Sequence, residues 1–311
     1  MNSPLQLCYP VKTMDGIELL PAGTSLTKNV MHDLVLSSKK YTFAEMHLID
    51  LDSIANDLHQ IIKQPPYNHI SEDPNQIKSI DDAIKNVKLA RPLFEIYKYF
   101  KIYDPYTYRH MLSVFILSLL MTLKFTDSWR DEFNKTMAAP LHDFGKINIP
   151  LDILTNSSLL DDSERQYLSH HAAAGYVLLS YYLQDFSHPA AITARDHHER
   201  NDGSGYPRGI KLQNRTVEIV AVCDVFDALI SSRPYRPESY TTRTALEALT
   251  LQANQGALNP DIVNALILCL RKEQSSYDTA KFSKEQRGFP PSNNSYSGAL
   301  LSELDSDTTN D

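Results

Sequence analysis

The spacing of apolar residues predicts that the chain changes from mixed structure to helices near position 104. From there onward, apolar residues recur three and four positions apart, which is the period of an α-helix. This pattern predicts helices over residues 106–123, 129–142, 163–179, 189–198, 217–230, 242–253 and 260–271. Helices that follow one another without strands indicate an all-α domain, which we expect over residues 104–273.

The first 60 residues show shorter runs of apolar and polar positions. Residues 6–11 and 16–20 predict two strands around a turn at Asp15-Gly16, and residues 41–46 are a candidate third strand. Between them, residues 26–37 keep helical spacing. We therefore expect residues 1–60 to form a small α+β regulatory domain, whose ligand the sequence does not identify.

Two further segments depart from these patterns. Residues 61–78 contain Pro65-Pro66 and Pro74, which interrupt regular structure, so we predict a linker here. A linker helix is expected over 79–103, with a kink at Pro92. Residues 274–311 are rich in Ser, Asn, Asp and Thr and predict a disordered tail. The predicted fold class is mainly α, with an all-helical domain preceded by a small α+β domain.

Composition and charge narrow the class of protein. Apolar residues make up 42% of the chain, and the net charge of −8 argues against binding DNA or RNA polymers, whose phosphates must be neutralised by Lys and Arg. Cys8, Cys223 and Cys269 are odd in number and far apart, which is typical of a reducing compartment. The start lacks a secretory signal, and the most apolar run, residues 111–123, is too short to span a bilayer. We expect a cytoplasmic protein that does not insert into membranes.

Histidines are concentrated in the predicted helical domain. Seven of the 11 lie between positions 110 and 198, around the doublet His142-Asp143. Imidazoles and carboxylates together suit first-row transition-metal ions, and a carboxylate can bridge two of them. The candidate set is His110, His142, Asp143, His171, His197, His198 and Asp224.

Other chemistry surrounds this candidate set. Lys146 places a cation about one helical turn after the doublet. A Gly-rich loop over residues 202–207 can bring backbone close to a ligand. Arg233 and Arg236 carry guanidinium groups that suit phosphate.

Residues of about 100–270 resemble an HD-GYP domain, a branch of the HD superfamily of metal-dependent phosphohydrolases. The similarity rests on ordered motifs at family spacing. They are Asp104-Pro-Tyr-Thr-Tyr-Arg-His110, Leu141-His-Asp-Phe-Gly-Lys146, His171-Ala-Ala-Ala-Gly175, His197-His-Glu-Arg-Asn-Asp-Gly-Ser-Gly-Tyr-Pro207, Asp224-Val-Phe-Asp-Ala-Leu-Ile-Ser-Ser-Arg-Pro-Tyr-Arg236 and Gly256-Ala-Leu-Asn-Pro260.

The resemblance implies a bacterial phosphodiesterase that hydrolyses cyclic di-GMP. It assigns the seven candidate residues as metal ligands, with Asp143 bridging two ions, iron in the first place and manganese as the alternative. Lys146 would contact the scissile phosphate, and Tyr206, Arg233 and Arg236 would lie near the substrate. A hydroxide that bridges the two ions would attack phosphorus, giving pGpG first, with GMP left open as a further product.

Several positions depart from the pattern of the family. Tyr106 stands where some members have a Glu that serves a third ion, so we predict two metals. Asn201 replaces a commonly aromatic or apolar residue, and Glu218 stands where a basic residue is expected. The stretch 209–218 is also about two residues shorter than usual, and the resemblance implies that this loop forms part of the rim of the substrate site.

These departures leave a second function open. The chain could be a weakly active or inactive receptor or adaptor that binds a nucleotide or a signalling partner protein, and hydrolysis of another phosphoester or cyclic dinucleotide is a third hypothesis. The intact ligand set favours the enzyme. A homodimer is also left open. His170 is expected not to be a ligand, whereas Glu199 is a candidate for orienting a ligand histidine.

Overall fold

Helices form most of the structure, so the predicted mainly α fold is confirmed. The computed structural model describes residues 4–47, 52–68, 70–125, 138–232, 238–271 and 286–291. The strands are β1 (Val11–Lys12), β2 (Glu18–Leu20), β3 (Glu45–His47) and β4 (Lys88–Ala90). The helices are α1 (Lys28–Ser38), α2 (Asp52–Ile61), α3 (Pro74–Asn86), α4 (Arg91–Tyr103), α5 (Pro105–Phe125), α6 (Leu151–Leu154), α7 (Asp162–Ser169), α8 (His171–Tyr182), α9 (Pro189–Asp196), α10 (Arg215–Ile230), α11 (Thr242–Asn254) and α12 (Pro260–Cys269). Short 3₁₀ helices occur at Ile70–Glu72, Ala139–Leu141 and Phe144–Asn148.

The strands form two small antiparallel pairs. β1 pairs with β2 across a turn at which Gly16 adopts a φ of 87°, a conformation that glycine reaches at little cost. β3 pairs with β4, with Glu45 opposite Ala90 and His47 opposite Lys88. The strands of the first pair are shorter than the predicted runs, while β3 lies close to its predicted position.

The segment predicted as one linker helix, residues 79–103, contains two helices and a strand. α3 begins at Pro74, where Asp73 caps it by accepting a hydrogen bond from the Asn75 N–H, so it starts earlier than predicted. The chain then extends through β4, and α4 begins with Pro92 in its first turn. A proline lacks the N–H that a helix interior needs but suits a first turn, so Pro92 starts a new helix and does not kink an existing one.

The single helix predicted over residues 163–179 is two helices that meet at His170. Asp161 and Glu164 form a capping box at the start of α7. At its end, the His170 N–H bonds to the carbonyl of Tyr167, three residues back, and α8 begins at the next residue. Because His170 keeps right-handed helical backbone angles, the apolar spacing continues across the corner and does not reveal it.

The core is built around two helices that are buried on all sides. Every residue of α8 is buried, and so is α10 from Val217 to Leu229. α8 packs against α9 and the 3₁₀ helix Phe144–Asn148, and α10 packs against α5. Such complete burial explains why these two helices lack an apolar stripe, since a helix that is apolar all round has no solvent face.

The N-terminal part of the chain packs directly on the helical part. Lys12 and Asn148 exchange two hydrogen bonds of 2.7 and 3.1 Å between the Lys12 backbone and the Asn148 amide. The rings of Tyr9 and Tyr167 stack with their centroids 3.7 Å apart. Buried residues on both sides belong to one continuous hydrophobic cluster. The division into a regulatory domain, a linker and a helical domain remains a prediction.

Some predicted elements fall partly outside the described residues. Residues 126–137, which include most of the helix predicted over 129–142, are among these, as are residues 274–285 and 292–311 of the predicted tail. Within the tail, the described stretch 286–291 is anchored because the N–H groups of Arg287 and Gly288 both donate to Glu247. Among the helices described, none has the length and apolar character needed to cross a membrane.

A close backbone approach fixes the 3₁₀ helix Phe144–Asn148 on α8. A Cβ on Gly145 would lie 1.9 Å from the carbonyl oxygen of His171 and 2.4 Å from the nitrogen of Gly175. A Cβ on Gly175 would lie 3.1 Å from the Cβ of Ala194. At Gly145 the added Cβ would overlap backbone atoms, which cannot rotate away. At Gly175 the overlap with the neighbouring side chain would be much smaller.

We predict a graded loss of stability from alanine at these two glycines. Gly145→Ala should lower the free energy of unfolding by more than about 3 kcal/mol, because the 3₁₀ helix must move off α8. Gly175→Ala should cost about 1–3 kcal/mol. Thermal and urea unfolding of the two variants beside the parent chain measures both effects. Equal stabilities would contradict the tight packing at Gly145.

Candidate metal centre

Five separate parts of the fold bring the seven predicted ligands together. His110 lies in the second turn of α5 and Asp224 lies in the middle of α10. His142 and Asp143 connect the two 3₁₀ helices that precede α6. His171 is the first residue of α8, and His197 and His198 follow α9 directly. Most of these side chains are buried, and that of His198 is 18% exposed.

The ligand atoms include two groups of three that share no residue, and a third group of His142, Asp143 and His197 links them. One group contains His110, His142 and Asp224, and the other contains His171, His197 and His198. Within each group, one potential ligand atom from each residue lies within 4.8 Å of the others. Each group therefore offers a cation three converging donors.

Asp143 lies between the groups and turns one oxygen toward each. Its Oδ2 is 3.7 Å from Nε2 of His110 and 3.5 Å from Nε2 of His142. Its Oδ1 is 3.4 Å from Nε2 of His171 and 3.9 Å from Nε2 of His197. A carboxylate in this position can serve both groups at once.

Backbone carbonyls determine the tautomers of three histidines. Nδ1 of His142 lies 2.6 Å from the carbonyl oxygen of Ala139, and Nδ1 of His171 lies 2.6 Å from that of Leu168. Nδ1 of His197 lies 3.0 Å from the carbonyl oxygen of Ala194. Because a carbonyl only accepts, each Nδ1 must carry the proton, and each Nε2 presents its lone pair to the centre.

Burial keeps most of these imidazoles neutral. It lowers the pKa of His171 to about 4 and, with the neighbouring histidines, lowers the pKa of His197 to about 3. The pKa values of His142 and His198 are lowered for the same reason. Neutral imidazole is the form that binds metals, so these residues are ready to act as ligands well below neutral pH.

The distances between the donor atoms suit coordination of a shared cation better than hydrogen bonding between the donors. Nε2 of His171 is 3.1 Å from Nε2 of His198 and 3.4 Å from Nε2 of His197. Imidazole nitrogens about 2.0–2.1 Å from a common metal ion would lie about 3.0–3.4 Å apart at ordinary coordination angles. Among the described residues, Nε2 of His142 and Oδ2 of Asp224 are buried and find no hydrogen-bond partner. Buried polar atoms without partners are costly, so both favour an ion in the centre.

His110 differs from the other histidines because two carboxylates contact its ring. Nε2 lies 2.9 Å from Asp224 and Nδ1 lies 2.7 Å from Asp227. Burial disfavours the charged ring, but these two partners outweigh it and raise the pKa of His110 to about 9. Asp227 was missed at the sequence level, although its place three residues after Asp224 on α10 puts both carboxylates on one helix face.

Lys146 forms an ion pair with Asp143. Its Nζ lies 2.7 Å from Oδ2, and the side chain is largely buried. Burial opposes the charge on Asp143, but this ammonium outweighs it and holds the pKa of the carboxyl well below its ordinary value. Lys146 therefore lies at the centre, and its contact with the scissile phosphate stays a prediction.

The Gly-rich loop places Tyr206 against a predicted ligand. The rings of Tyr206 and His198 stack, with centroids 4.5 Å apart and an angle of 17° between the planes. Gly205 permits this approach, since a Cβ there would lie 2.3 Å from the carbonyl oxygen of His198. Glu199, expected to orient a histidine, instead accepts hydrogen bonds from the N–H groups of Arg208 and Ile210 and so secures the loop.

Two departures from the family pattern contact each other. The Asn201 amide donates to Glu218 at 2.6 Å, and the amide of Asn259 donates to the same carboxylate oxygen at 3.2 Å. Glu218 is 6% exposed. The carboxylate therefore ties three segments together inside the domain and is not displayed at the rim of the site.

A polar cavity of about 270 Å³ adjoins the centre. Tyr106, Arg109, His110 and Ser231 are among the residues that line it. Tyr106 is 44% exposed there, at the position that a third-metal ligand would take in the family. Arg233 and Arg236 lie outside the described residues, so their predicted contact with substrate remains a prediction.

The other histidines have different surroundings. His170 lies beside the ring of Tyr9 and belongs to none of the candidate ligand groups found among the described residues, so its exclusion from the ligands stays a prediction. His188 caps α9 by accepting a hydrogen bond from the Ala190 N–H. His59 pairs with Asp81 at 2.9 Å, on a part-exposed surface.

A comparison with known protein families identifies the region that carries the centre. The family described as HD domain matches residues 101–262, just over half of the chain. This region contains all seven predicted ligands as well as Lys146 and Tyr206.

Curated relatives match a little under half of the chain. The "Cyclic di-GMP phosphodiesterase response regulator RpfG" of Xanthomonas campestris pv. campestris is 45% identical over 133 residues, covering 42% of this chain and 35% of that protein. The "Cyclic di-GMP phosphodiesterase" of Thermotoga maritima is 40% identical over 138 residues, 44% of this chain and 37% of that protein. The "3'3'-cGAMP-specific phosphodiesterase 3" of Vibrio cholerae is 37% identical over 135 residues, 43% of this chain and 29% of that protein.

These similarities are confined to one region of each protein. The aligned region spans about a third of the length of each of these three relatives. The family match and the relatives agree with the motifs read from the sequence. The chain belongs to the HD domain family, in the HD-GYP branch that its motifs resemble.

Proposed function

We propose that this chain is a metal-dependent phosphodiesterase that hydrolyses cyclic di-GMP to pGpG, with GMP as a further product left open. The observation that carries the proposal is the placement of Asp143, with one oxygen toward each group of three ligands. The names of the relatives from Xanthomonas and Thermotoga support the substrate.

The chemistry of the donor set supports a pair of transition-metal ions. His110, His142 and Asp224 would hold one ion, His171, His197 and His198 the other, and Asp143 would serve both. Iron is proposed first, with manganese as the alternative, since nitrogen and oxygen donors accept either. When bound, such ions polarise phosphoryl oxygens and make a water molecule acidic enough to supply hydroxide at neutral pH.

The protein's own groups would orient and neutralise the phosphodiester. Lys146 has an ammonium group 2.7 Å from Asp143 and could donate to a nonbridging phosphate oxygen next to this carboxylate. A fixed cation there offsets the charge that develops on phosphorus-bound oxygens. Tyr206 would hold the ring plane of His198 by stacking and present its edge to the nucleotide.

Two other functions would fit part of the same site. A receptor or adaptor would use the bound nucleotide as a signal without turnover, and a signalling partner protein or a homodimer would belong to this hypothesis. A phosphodiesterase for another cyclic dinucleotide is supported by the relative from Vibrio cholerae, whose name specifies 3'3'-cGAMP. The ion pair at Lys146 favours catalysis over passive binding. A reducing cytoplasm as the site of action fits the three cysteines, none of which forms a disulfide.

The deciding experiment is metal analysis combined with a turnover assay. Protein purified without oxygen should contain about two iron or manganese ions per chain and should convert cyclic di-GMP to pGpG. Chromatography of the reaction products measures this conversion. Parallel reactions with 3'3'-cGAMP and cyclic di-AMP test the substrate class. Two ions with nucleotide binding but no product would favour the receptor, and faster cleavage of 3'3'-cGAMP would replace the proposed substrate.

We predict that Asp143→Asn removes both metal binding and turnover. The amide has the same shape but no charge, so it cannot offset two cations. Metal content should fall from about two ions per chain to below one, and product formation should fall by at least about 10³-fold. Asp104→Asn is a matched control, because Asp104 is equally buried but only caps α5 through the Thr107 N–H. An Asp143→Asn variant that keeps two ions and its activity would refute the bridging role.

We predict that Lys146→Gln lowers kcat by about 10²-fold while the metal content stays near that of the parent chain. The reason is that Lys146 would contact the phosphate and not an ion. Lys98→Gln, at an exposed pair with Glu95, should leave both quantities unchanged. Loss of metal from Lys146→Gln would instead mean that the ammonium serves to hold Asp143 in place.

We also predict that metal uptake at pH 7 releases a proton from His110. With its pKa raised to about 9, the metal-free ring is protonated at pH 7 and must lose a proton to bind, whereas the rings with lowered pKa values need not. This component of proton release should disappear as the pH rises above about 9. Calorimetric titration with Mn²⁺ in buffers of different ionisation enthalpy measures it. Because Asp227 helps to raise the pKa of His110, the Asp227→Asn variant should release less of this proton at pH 7. Unchanged proton release in that variant would contradict the assignment to His110.

A further inference from the structure

A row of buried hydrogen bonds leads from Tyr67 to the metal centre. The Tyr67 hydroxyl donates to Oδ1 of Asp227 at 2.6 Å, and Oδ2 of Asp227 lies 2.7 Å from Nδ1 of His110. Tyr67 and Asp227 are 0% exposed, and His110 is 2% exposed. In such a dry setting each bond has a well-defined direction and is not shared with solvent.

Asp227 determines which way the His110 ring points. The bond at Nδ1 directs the opposite nitrogen, Nε2, toward Asp224 and Asp143. Partners of this kind orient ligand histidines and tune their metal affinity. The carboxylate of Asp227 is itself free to rotate about its own bonds unless donors hold both of its oxygens.

Tyr67 holds the second oxygen of that carboxylate. The other oxygen, Oδ2, lies 2.7 Å from Nδ1 of His110 and accepts a hydrogen bond of 3.1 Å from the hydroxyl of Ser231. Among the described residues, Arg109 is the cation nearest Oδ1, and at 4.0 Å it lies too far for a hydrogen bond. The Tyr67 hydroxyl is therefore the hydrogen-bond donor observed at Oδ1. Burial and the charge of Asp227 raise the pKa of this phenol well above its ordinary value, so it remains a donor.

The position of Tyr67 in the chain makes this contact unexpected. It lies in the segment 61–78, outside the region that matches the HD domain, and 160 residues before Asp227. The segment is held by its own turns, with the Tyr67 N–H bonded to Gln64 and the Ile70 N–H bonded to Tyr67. Ile62 and Ile70 anchor it in the core.

We propose that Tyr67 is a positioning residue for the metal centre, acting through Asp227 on His110. This inference rests on the metal centre proposed above. The segment before the HD domain thus completes the surroundings of a ligand, and the affinity of the group formed by His110, His142 and Asp224 depends on it.

The test compares two Tyr→Phe variants of the full chain. Tyr67→Phe removes only the hydroxyl at Asp227. Tyr108→Phe is the matched control, because its hydroxyl also donates to a carboxylate at 2.6 Å, that of Asp57, which contacts Lys101 and no metal ligand. Metal-free protein is titrated with Mn²⁺ against a chromophoric chelator, and bound Mn²⁺ is followed by electron paramagnetic resonance.

The expected result is selective for one of the two ions. Tyr67→Phe should weaken the binding of one Mn²⁺ by about 3–10-fold, near the lower end of the effect of outer partners on metal affinity, and leave the other unchanged. The electron paramagnetic resonance spectrum of Mn²⁺ bound to Tyr67→Phe should also differ from that of the parent chain. Tyr108→Phe should bind both ions as the parent chain does, even where thermal unfolding shows a similar loss of stability for both variants.

A double-mutant comparison separates positioning from general damage. Asp227→Asn should weaken the same ion, and adding Tyr67→Phe to it should cause no further loss, because Tyr67 acts through that carboxylate. Additive losses, equal losses in Tyr108→Phe, or unchanged Mn²⁺ affinity in Tyr67→Phe would each overturn the inference while leaving the metal centre in place. A parent chain that binds no Mn²⁺ or iron would overturn the metal centre and the inference together.

Discussion

The structure depends on one buried carboxylate that must face two sets of imidazoles. Removing the charge of Asp143 from water is expensive unless other groups compensate for it, and Lys146 supplies part of that compensation at Oδ2. The remaining field comes from ring nitrogens on the neighbouring His142 and on three other parts of the fold. Because no single helix could place three donors on each side of one carboxylate, α5, α8, α9 and α10 must converge at this point. The tight contact of Gly145 with α8 is a consequence, since it brings the doublet to the start of that helix.

Three of the predicted ligand histidines share the same local arrangement. His142, His171 and His197 each follow a short or medium helix, and each donates from Nδ1 to a carbonyl three residues earlier. Carbonyls in the last turn of a helix lack helical partners, so they are available as acceptors at this spacing. The end of the helix thereby sets both the tautomer and the direction of Nε2. The corner at His170 places Leu168 in the last turn of α7, where its carbonyl lies 2.6 Å from Nδ1 of His171.

The sequence identifies the candidate ligands more fully than it identifies the residues around them. Histidines and aspartates at family spacing identify the seven candidate residues, and the periodicity of apolar residues identifies most helices of the HD domain. Contacts between residues far apart in the chain leave no such pattern. Only the structure reveals the hydrogen bond between Tyr67 and Asp227 and the one between Asn201 and Glu218. Asp227 is intermediate, since helix spacing alone places it beside Asp224. The sequence does not predict the corner at His170 or the strand inside residues 79–103, because the helical spacing of apolar residues continues across both.

The upstream part of the chain contacts the neighbourhood of the centre at three places. Lys12 bonds to Asn148, two residues after Lys146, and Tyr9 stacks on Tyr167 next to the corner that precedes His171. Tyr67 reaches His110 through Asp227. These contacts lie beside three different parts of the fold that carry predicted ligands, and they are made by folded segments and not through a flexible tether. Coupling between sites needs contacts that differ between two states of the protein. A shift of the segment at Tyr67 would therefore act on His110 through two hydrogen bonds, without first moving the HD domain as a body.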